Sequence, residues 1–213
     1  MNKSNFYIPR AYPIMKNEEN IIGLFPLRIF LLPGEQTTLH IYEPRYLQLI
    51  NECLDQDSCF GIPYQGKTTL SEYGSMVRII QVLKYYENGE LDILVDCDQN
   101  FKINHFEAKK DDKLYPAGTI ALIKENSFVQ SEELSKEVSS YLQILLDKDI
   151  TNELNELLSF KNIINVMNLT DDEKVKFLRY GNDKRNDFLL KKIKFMLILL
   201  NQEKKVEQNF YLN

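Results

Sequence analysis

The chain from residue 24 to residue 62 reads LFPLRIFLLPGEQTTLHIYEPRYLQLINECLDQDSCFGI, and its pattern is the most specific in the protein. An apolar run precedes the turn Pro33-Gly34, and Pro44 follows a second, shorter run. Proline suits a first helical turn because the N–H group that it lacks would have no partner there. The apolar residues after Pro44 recur at helical spacing. We therefore predict one helix from about Pro44 to Gln56, lying against a sheet.

A β-hairpin is predicted farther along the chain. The runs SMVRIIQVLKYY and LDILVDCD are separated by Glu87, Asn88, Gly89 and Glu90. Asn-Gly is the preferred pair for the positive φ angles of a two-residue type I′ turn, so we predict that turn here. In the second run, apolar residues alternate with aspartates, which predicts a strand with one apolar face turned inward.

The pattern becomes helical in the second half of the chain. Ser131 followed by Glu132 predicts one helix start, and the capping-box sequence from Thr170 to Glu173 predicts another. A further helix is predicted from about residue 183 to residue 206. The sequence therefore predicts an α+β protein, with a β-rich domain at residues 1–126 and an α-helical bundle at residues 127–213 packed on it.

Composition limits the classes of function. The chain has 213 residues, 44% hydrophobic and 27% charged, which is typical of a folded globular protein. A net charge of -5 disfavours a general nucleic-acid binder. The N-terminal residues lack the apolar run of a signal peptide, and no stretch is long enough to span a bilayer. We expect a cytoplasmic protein without membrane contact, and reduced thiols at Cys53, Cys59 and Cys97, whose spacing is not that of a zinc site.

One motif suggests a different function. The sequence GIPYQGKT, from Gly61 to Thr68, matches the P-loop pattern of NTPases. A phosphate cradle requires a helix directly after the lysine. Here Lys67 is followed by two threonines and soon by Gly74, which disfavours a helix. An NTP-dependent factor is therefore an alternative interpretation, and a polar surface loop is the preferred one.

The stretch from residue 24 to residue 62 resembles the opening of the Lon protease N-terminal, substrate-binding domain. The similar segments come in the order of that family and are Leu24-Phe25-Pro26-Leu27-Arg28, Pro33-Gly34, the run from Leu39 to Tyr46, and Phe60-Gly61-Ile62. Weaker similarity continues to about Leu200. The resemblance implies a PUA-like, partly open antiparallel β-barrel with one packed helix, followed by a helical region.

The resemblance also implies a function. A standalone member of this family, without ATPase or peptidase domains, would be a non-catalytic module that binds unfolded or extended polypeptide or a protein partner. No enzyme activity, cofactor or metal is expected. The candidate peptide-binding residues are Phe25, Arg28, Tyr42, Glu43, Arg45 and Tyr46.

Other roles are open for several of these side chains. Glu43 and Arg45 would orient the start of the helix, which is the interpretation that we favour, and the aromatic residues would belong to the core. A metal site or acid–base pair of His40 or His105, the only histidines, with Glu43 or Asp98 is a further alternative. For His40 it is less favoured than a packing or surface role. RNA binding is suggested by PUA-like architecture alone, and the acidic balance disfavours it.

Overall fold

The structure, a computed structural model, describes residues 21–109, 112–123, 128–147 and 158–210. The boundary predicted between residues 126 and 127 lies outside this part of the chain. The described residues contain six strands and five helices, which confirms the mixed architecture with an antiparallel sheet. In chain order they are β1 (Ile21–Gly23), β2 (Gln36–Ile41), α1 (Pro44–Gln56), β3 (Phe60–Gln65), β4 (Leu70–Tyr85), β5 (Leu91–Glu107), β6 (Ala117–Ile123), α2 (Glu132–Leu146), α3 (Phe160–Met167), α4 (Asp171–Arg179) and α5 (Asn182–Phe210).

The sheet is curled into a half-barrel. Its strand order is β1-β6-β5-β4-β3, and β2 pairs with β5 beside β6. The extended residues after β1 run alongside β3, where the Phe25 amide donates to the Gly61 carbonyl at 2.8 Å and the Leu27 amide donates to the Pro63 carbonyl at 3.1 Å. The segment after β1 therefore lies beside β3, at the other end of the strand order. The long strands β4 and β5 can follow this curvature because three register shifts interrupt their pairing.

The hairpin of β4 and β5 is confirmed, but the predicted two-residue type I′ turn is wrong. The Tyr86 amide donates to the Glu90 carbonyl at 3.0 Å, which encloses a three-residue loop. Within that loop only Gly89 has a positive φ angle, 85°. The Asn88 side chain accepts a hydrogen bond from the Glu90 amide at 3.2 Å instead. The Gly89 amide also donates to the Tyr86 carbonyl at 3.0 Å, so the loop is closed with one positive φ angle, whereas a type I′ turn needs two.

Helix α1 begins and ends where the sequence predicts. It buries Tyr46, Leu49, Ile50 and Cys53 against the inner face of the sheet. That face is built by alternate residues of β5, namely Leu91, Ile93, Val95 and Cys97. The sheet and α1 therefore share one core.

Helices α2 to α5 surround a second core, and two of them begin at predicted caps. The Ser131 hydroxyl accepts from the Leu134 amide, and Thr170 and Glu173 form the predicted capping box. Helix α3, capped by Ser159, is absent from the sequence-based prediction. Within the described part of the chain, no helix is long and apolar enough to cross a membrane.

Polar contacts join the two cores at the segment before the Pro33-Gly34 turn. The Phe30 amide donates to Asp171 Oδ1 at 3.1 Å, and Lys174 Nζ donates to the Phe30 carbonyl at 3.1 Å. Lys174 also pairs with Glu35 at 2.7 Å. Because these contacts are largely buried, they fix α4 against the strand-to-turn segment of the sheet.

Candidate functional site

The start of α1 brings four of the six candidate residues together. The rings of Phe25 and Tyr46 stack with their centroids 3.8 Å apart, and both side chains are buried. Burial raises the pKa of the Tyr46 phenol. The Arg45 guanidinium lies over the Tyr46 ring at 4.5 Å and donates from Nε to Glu43 Oε2 at 2.8 Å. The Tyr46 ring therefore lies between Phe25 and the Arg45 guanidinium, and of these four residues only Glu43 and Arg45 reach the surface.

Glu43 holds the helix start through its backbone. Its side chain makes no capping hydrogen bond, whereas its carbonyl accepts from the amides of Tyr46 and Leu47, each at 2.9 Å. The Glu43 carboxylate is directed to Arg45 instead. This geometry is consistent with a role for the pair in shaping the first turn of α1.

Arg28 lies in a different neighbourhood. It is exposed, and its charge acts on Tyr64, whose hydroxyl donates to Asp172 Oδ1 at 2.8 Å. Burial and this bond to Asp172 raise the pKa of Tyr64 to about 12, and Arg28 opposes the shift. Arg28 thus belongs to the contact between β3 and α4.

Tyr42 belongs to a group of side chains at the turn end of the β4–β5 hairpin, which we call the tip cluster: His40, Tyr42, Tyr86, Glu90 and Asp92. Tyr42 is 59% exposed, and its ring stacks on the His40 ring with centroids 5.8 Å apart. Tyr86 meets the same histidine edge-on at 5.5 Å. The cluster is formed because β2 pairs with β5 in a register that places His40 opposite Asp92.

Both ring nitrogens of His40 contact carboxylates. Nδ1 lies 2.7 Å from Asp92 Oδ1, and Nε2 lies 3.2 Å from Glu90 Oε2. Hydrogen bonds from Tyr86 and from His40 lower the pKa of the Asp92 carboxyl. The sequence suggests Glu43 or Asp98 as the partner of His40, but the carboxylates that contact it are those of Asp92 and Glu90. Glu43 pairs with Arg45 instead, and Asp98 pairs with Arg78. The contacts with Asp92 and Glu90 orient the imidazole ring of His40 within the tip cluster.

Among the residues that the structure describes, no group of three or more His, Cys, Asp and Glu side chains is arranged to hold a metal ion.

A second exposed feature lies on β4 next to the tip cluster, and we call residues 78–85 the β4 edge. Strand β3 pairs with β4 only as far as Val77, so in the described part of the chain the far side of the β4 edge has no neighbouring strand. Three large apolar side chains are exposed there: Ile80 by 47%, Leu83 by 46% and Tyr85 by 69%. An edge strand presents backbone groups that can pair with another chain.

Two bulges explain the exposure of Ile80 and Leu83. The pairing of β4 with β5 passes from Ile79 to Gln81 and from Val82 to Lys84, so each of these two residues is skipped. A bulge re-aims side chains relative to the regular alternation. The sequence is consistent with these bulges. Ile79-Ile80 and Val82-Leu83 are pairs of adjacent apolar residues, whereas apolar and polar residues would alternate in a regular strand with one face exposed.

The P-loop sequence lies in the hairpin of β3 and β4. Residues 61–65 belong to β3, the Gly66 amide donates to the Thr69 carbonyl at 3.0 Å, and β4 begins at Leu70. No helix follows Lys67, which confirms antiparallel strands instead of a strand–loop–helix unit. A Cβ atom at Gly61 would meet Leu24 and Ile22 at 2.7 and 2.8 Å, so this glycine serves close packing of the core.

The surroundings of Cys53 and Cys59 disfavour the thiolate form that a nucleophile needs. Cys53 and Cys97 are buried, and burial raises the pKa of Cys53. Burial and the nearby Asp98 carboxylate raise the pKa of the Cys59 thiol to about 11. A reactive cysteine needs the opposite shift.

Comparison with known proteins finds the same fold in solved structures. Residues 21–178 match the family model of the ATP-dependent protease La (LON) substrate-binding domain. A solved Lon N-terminal domain protein from Xanthomonas campestris aligns with a TM-score of 0.59 at 19% identity, over 84% of this chain and 97% of that one. The N-terminal domain of Mycobacterium avium complex Lon protease aligns at 0.57 and 14%, over 82% and 98%. No protein with a curated description matches the sequence significantly.

Proposed function

The chain belongs to the Lon (ATP-dependent protease La) substrate-binding domain family, and on that premise we propose that it is a non-catalytic recognition module for unfolded or extended polypeptide. The observation that carries the proposal is the β4 edge, where Ile80, Leu83 and Tyr85 are all exposed on a strand whose far side is unpaired in the described chain. Exposed apolar groups of this kind mark interaction sites. An open strand edge adds backbone hydrogen bonds to their contacts.

The expected affinity is modest. Covering three half-exposed apolar side chains contributes roughly 1 kcal/mol each, and a few backbone hydrogen bonds add to this. Ordering a flexible chain opposes binding. A dissociation constant of about 1 μM or weaker is therefore expected.

Among the candidate residues, we propose that Tyr42 contacts the bound chain because it is the most exposed aromatic side chain of the set. Glu43 and Arg45 would orient the start of α1, with Arg45 over the buried Tyr46 ring. Arg28 would contribute to binding only if the bound polypeptide extends as far as α4. We propose in addition that the sheet is PUA-like, that the chain divides between residues 126 and 127, and that the helices form a bundle. We also propose that the protein does not bind nucleic acid.

Binding of the full chain to a reduced, carboxymethylated protein tests the proposal. The unfolded protein is labelled with a fluorophore, and its anisotropy is followed during titration. The double variant Ile80→Ser, Leu83→Ser should weaken binding at least tenfold, because it removes the two apolar side chains presented by the bulges.

Ile198→Ser supplies the matched control. Ile198 is 56% exposed on α5, so the same change is made at similar exposure away from the sheet. Equal affinity of the edge variant and the control, or no binding by the folded wild type, would contradict the proposal.

A further inference from the structure

His40 and Tyr86 come from opposite sides of β5 and meet at one carboxylate. His40 belongs to β2, which pairs with one side of β5, and Tyr86 follows the end of β4, which pairs with the other side. His40 Nδ1 lies 2.7 Å from Asp92 Oδ1, and the Tyr86 hydroxyl donates to Asp92 Oδ2 at 2.7 Å. The tip cluster therefore connects β2, β5 and the hairpin turn through side chains.

The second nitrogen of the same imidazole ring contacts the turn itself. His40 Nε2 lies 3.2 Å from Glu90 Oε2. Glu90 closes the turn, because its carbonyl accepts from the Tyr86 amide at 3.0 Å. The ring thus lies between two carboxylates, one in β5 and one in the turn.

Only the protonated ring is compatible with both contacts. A neutral imidazole has one N–H group and one nitrogen with a free lone pair, and an ionised carboxylate can only accept hydrogen bonds. Whichever nitrogen of His40 keeps its proton, the lone pair of the other nitrogen would lie close to a carboxylate oxygen and be repelled. The imidazolium form has an N–H group at each nitrogen and removes this repulsion.

The groups around the ring identify histidine as the one that changes charge near neutral pH. Histidine side chains lose their proton between about pH 5 and pH 8. Hydrogen bonds from Tyr86 and His40, together with the charge of Lys84, lower the pKa of the Asp92 carboxyl, so Asp92 stays ionised over this range. The rings of Tyr86 and Tyr42 also face His40, and Lys84 Nζ lies 4.0 Å from the centroid of the Tyr86 ring. Lysine and tyrosine side chains titrate only near about pH 10.

We propose that His40 acts as a pH-sensitive latch of the hairpin turn: the protonated ring holds Glu90 and Asp92 together, and loss of the proton releases Glu90. The contact with Asp92 is the shorter one and survives, because Tyr86 holds the second oxygen of that carboxylate. The Glu90 carboxylate lacks a comparable second contact in the described part of the chain. This device does not depend on polypeptide binding.

Release of Glu90 changes the turn and leaves the sheet in place. Strand β2 stays paired with β5 through its backbone. Once Glu90 is released, the turn is held only by its own bonds, which are those of Tyr86 with Gly89 and Glu90 and that of Asn88 with Glu90. The turn should therefore become more mobile as the pH rises.

Nuclear magnetic resonance of the full-length protein tests the latch between about pH 5 and pH 8. The ring resonances of His40 and the backbone amides of residues 86–90 should titrate with one common midpoint, and ¹⁵N relaxation should show more mobile turn amides above it. His40→Gln should abolish the transition of the turn amides. Glu90→Gln should reduce it by at least half, because a carboxamide can both donate and accept and so suits either form of the ring.

His105→Gln supplies the matched control. His105 is the other histidine of the chain, and it lies 3.5 Å from a single carboxylate, that of Glu107. The side chains of His40 and His105 are 47% and 66% exposed, so both variants should fold, which circular dichroism checks. His105→Gln should leave the transition of the turn amides unchanged.

Three results would overturn the latch. The first is a wild-type protein whose turn amides do not titrate together with His40. The second is a transition of the turn that persists in His40→Gln, and the third is one that is lost in His105→Gln.

Discussion

Phe30 and Leu31 are neighbours in the chain, yet their side chains lie in two different cores. Phe30 is buried among α2 to α5, whereas Leu31 is buried between the sheet and α1. The backbone of Leu31 is held by the sheet, because its amide donates to Ser75 Oγ at 2.9 Å and its carbonyl accepts from Asn100 Nδ2 at 2.7 Å. One short segment therefore couples the sheet to the helices.

This coupling predicts that Phe30→Ala destabilises the whole chain. Removing a fully buried phenylalanine costs about 3–5 kcal/mol, and the sheet loses the segment that the helices hold. We expect one unfolding transition, shifted to lower denaturant, by both circular dichroism and tyrosine fluorescence. Ile198→Ala, on the exposed face of α5, should change stability by less than about 0.5 kcal/mol. Two separate transitions, with only the helical one shifted, would contradict the coupling.

The protein is predicted not to bind ATP. Gly61 lies within a strand and Lys67 in the turn between β3 and β4, so no helix N-terminus faces a phosphate at this place. Calorimetric titration with ATP and Mg²⁺ should give no heat of binding for the wild type or for Lys67→Ala. Millimolar or tighter binding that is lost in Lys67→Ala would refute this account of the segment.

Glu52 is predicted to make stability depend on pH in the acid range. Its carboxylate accepts from the Tyr115 hydroxyl at 2.6 Å and from Lys113 Nζ at 2.9 Å, and these bonds hold its pKa below the ordinary value of 4.5. A lowered pKa stabilises the folded state above pH 4.5, and this contribution is lost as the pH falls through the folded-state pKa.

Glu52→Gln should therefore be less stable than the wild type at pH 7, by about 1 kcal/mol because solvent screens the site. The difference should narrow below pH 4.5. Urea unfolding at pH 7 and pH 3 measures this difference in stability between the wild type and Glu52→Gln. A larger difference at pH 3 than at pH 7 would contradict the predicted direction of the pH dependence.

The thiols are predicted to react slowly in the folded state. Cys53 and Cys97 are buried, and the pKa of Cys59 is raised to about 11, so little thiolate forms at pH 8. Titration with Ellman's reagent should modify all three only after unfolding. Fast labelling of Cys59 in the native protein would contradict the environment assigned to it.

Local chemistry explains which elements the sequence could predict. Proline at the first turn and helical periodicity define α1, the pair Thr170 and Glu173 defines the start of α4, and Gly34, with a φ angle of 81°, suits the predicted turn. The hairpin turn differs from the predicted one because backbone bonds of Tyr86 with Gly89 and Glu90 enclose three residues and require a positive φ angle only at Gly89. Helix α3 has only eight residues, which is short for a periodicity argument.

The candidate site was harder to predict than the helix starts, because the exposure of a side chain depends on how helices pack and on which residues pair across strands. Phe25, Tyr42 and Tyr46 are all aromatic and close in sequence, but only Tyr42 is exposed, since α1 presses Tyr46 onto Phe25. Ile80 and Leu83 look like core residues of a strand. Bulges against β5 turn them outward, and the place of a bulge is determined by cross-strand pairing.

Hydrogen exchange of the full chain, with and without a saturating unfolded polypeptide, tests the central claim most directly. Backbone amides on the open side of residues 78–85 should exchange quickly in the free protein, because no other described strand pairs with them. The account predicts that the bound polypeptide slows exchange there and in the turn up to Glu90, while residues 195–206 of α5 are unchanged. Protection confined to α5, with the β4 edge unaffected, would show that the protein binds its partners through the helices.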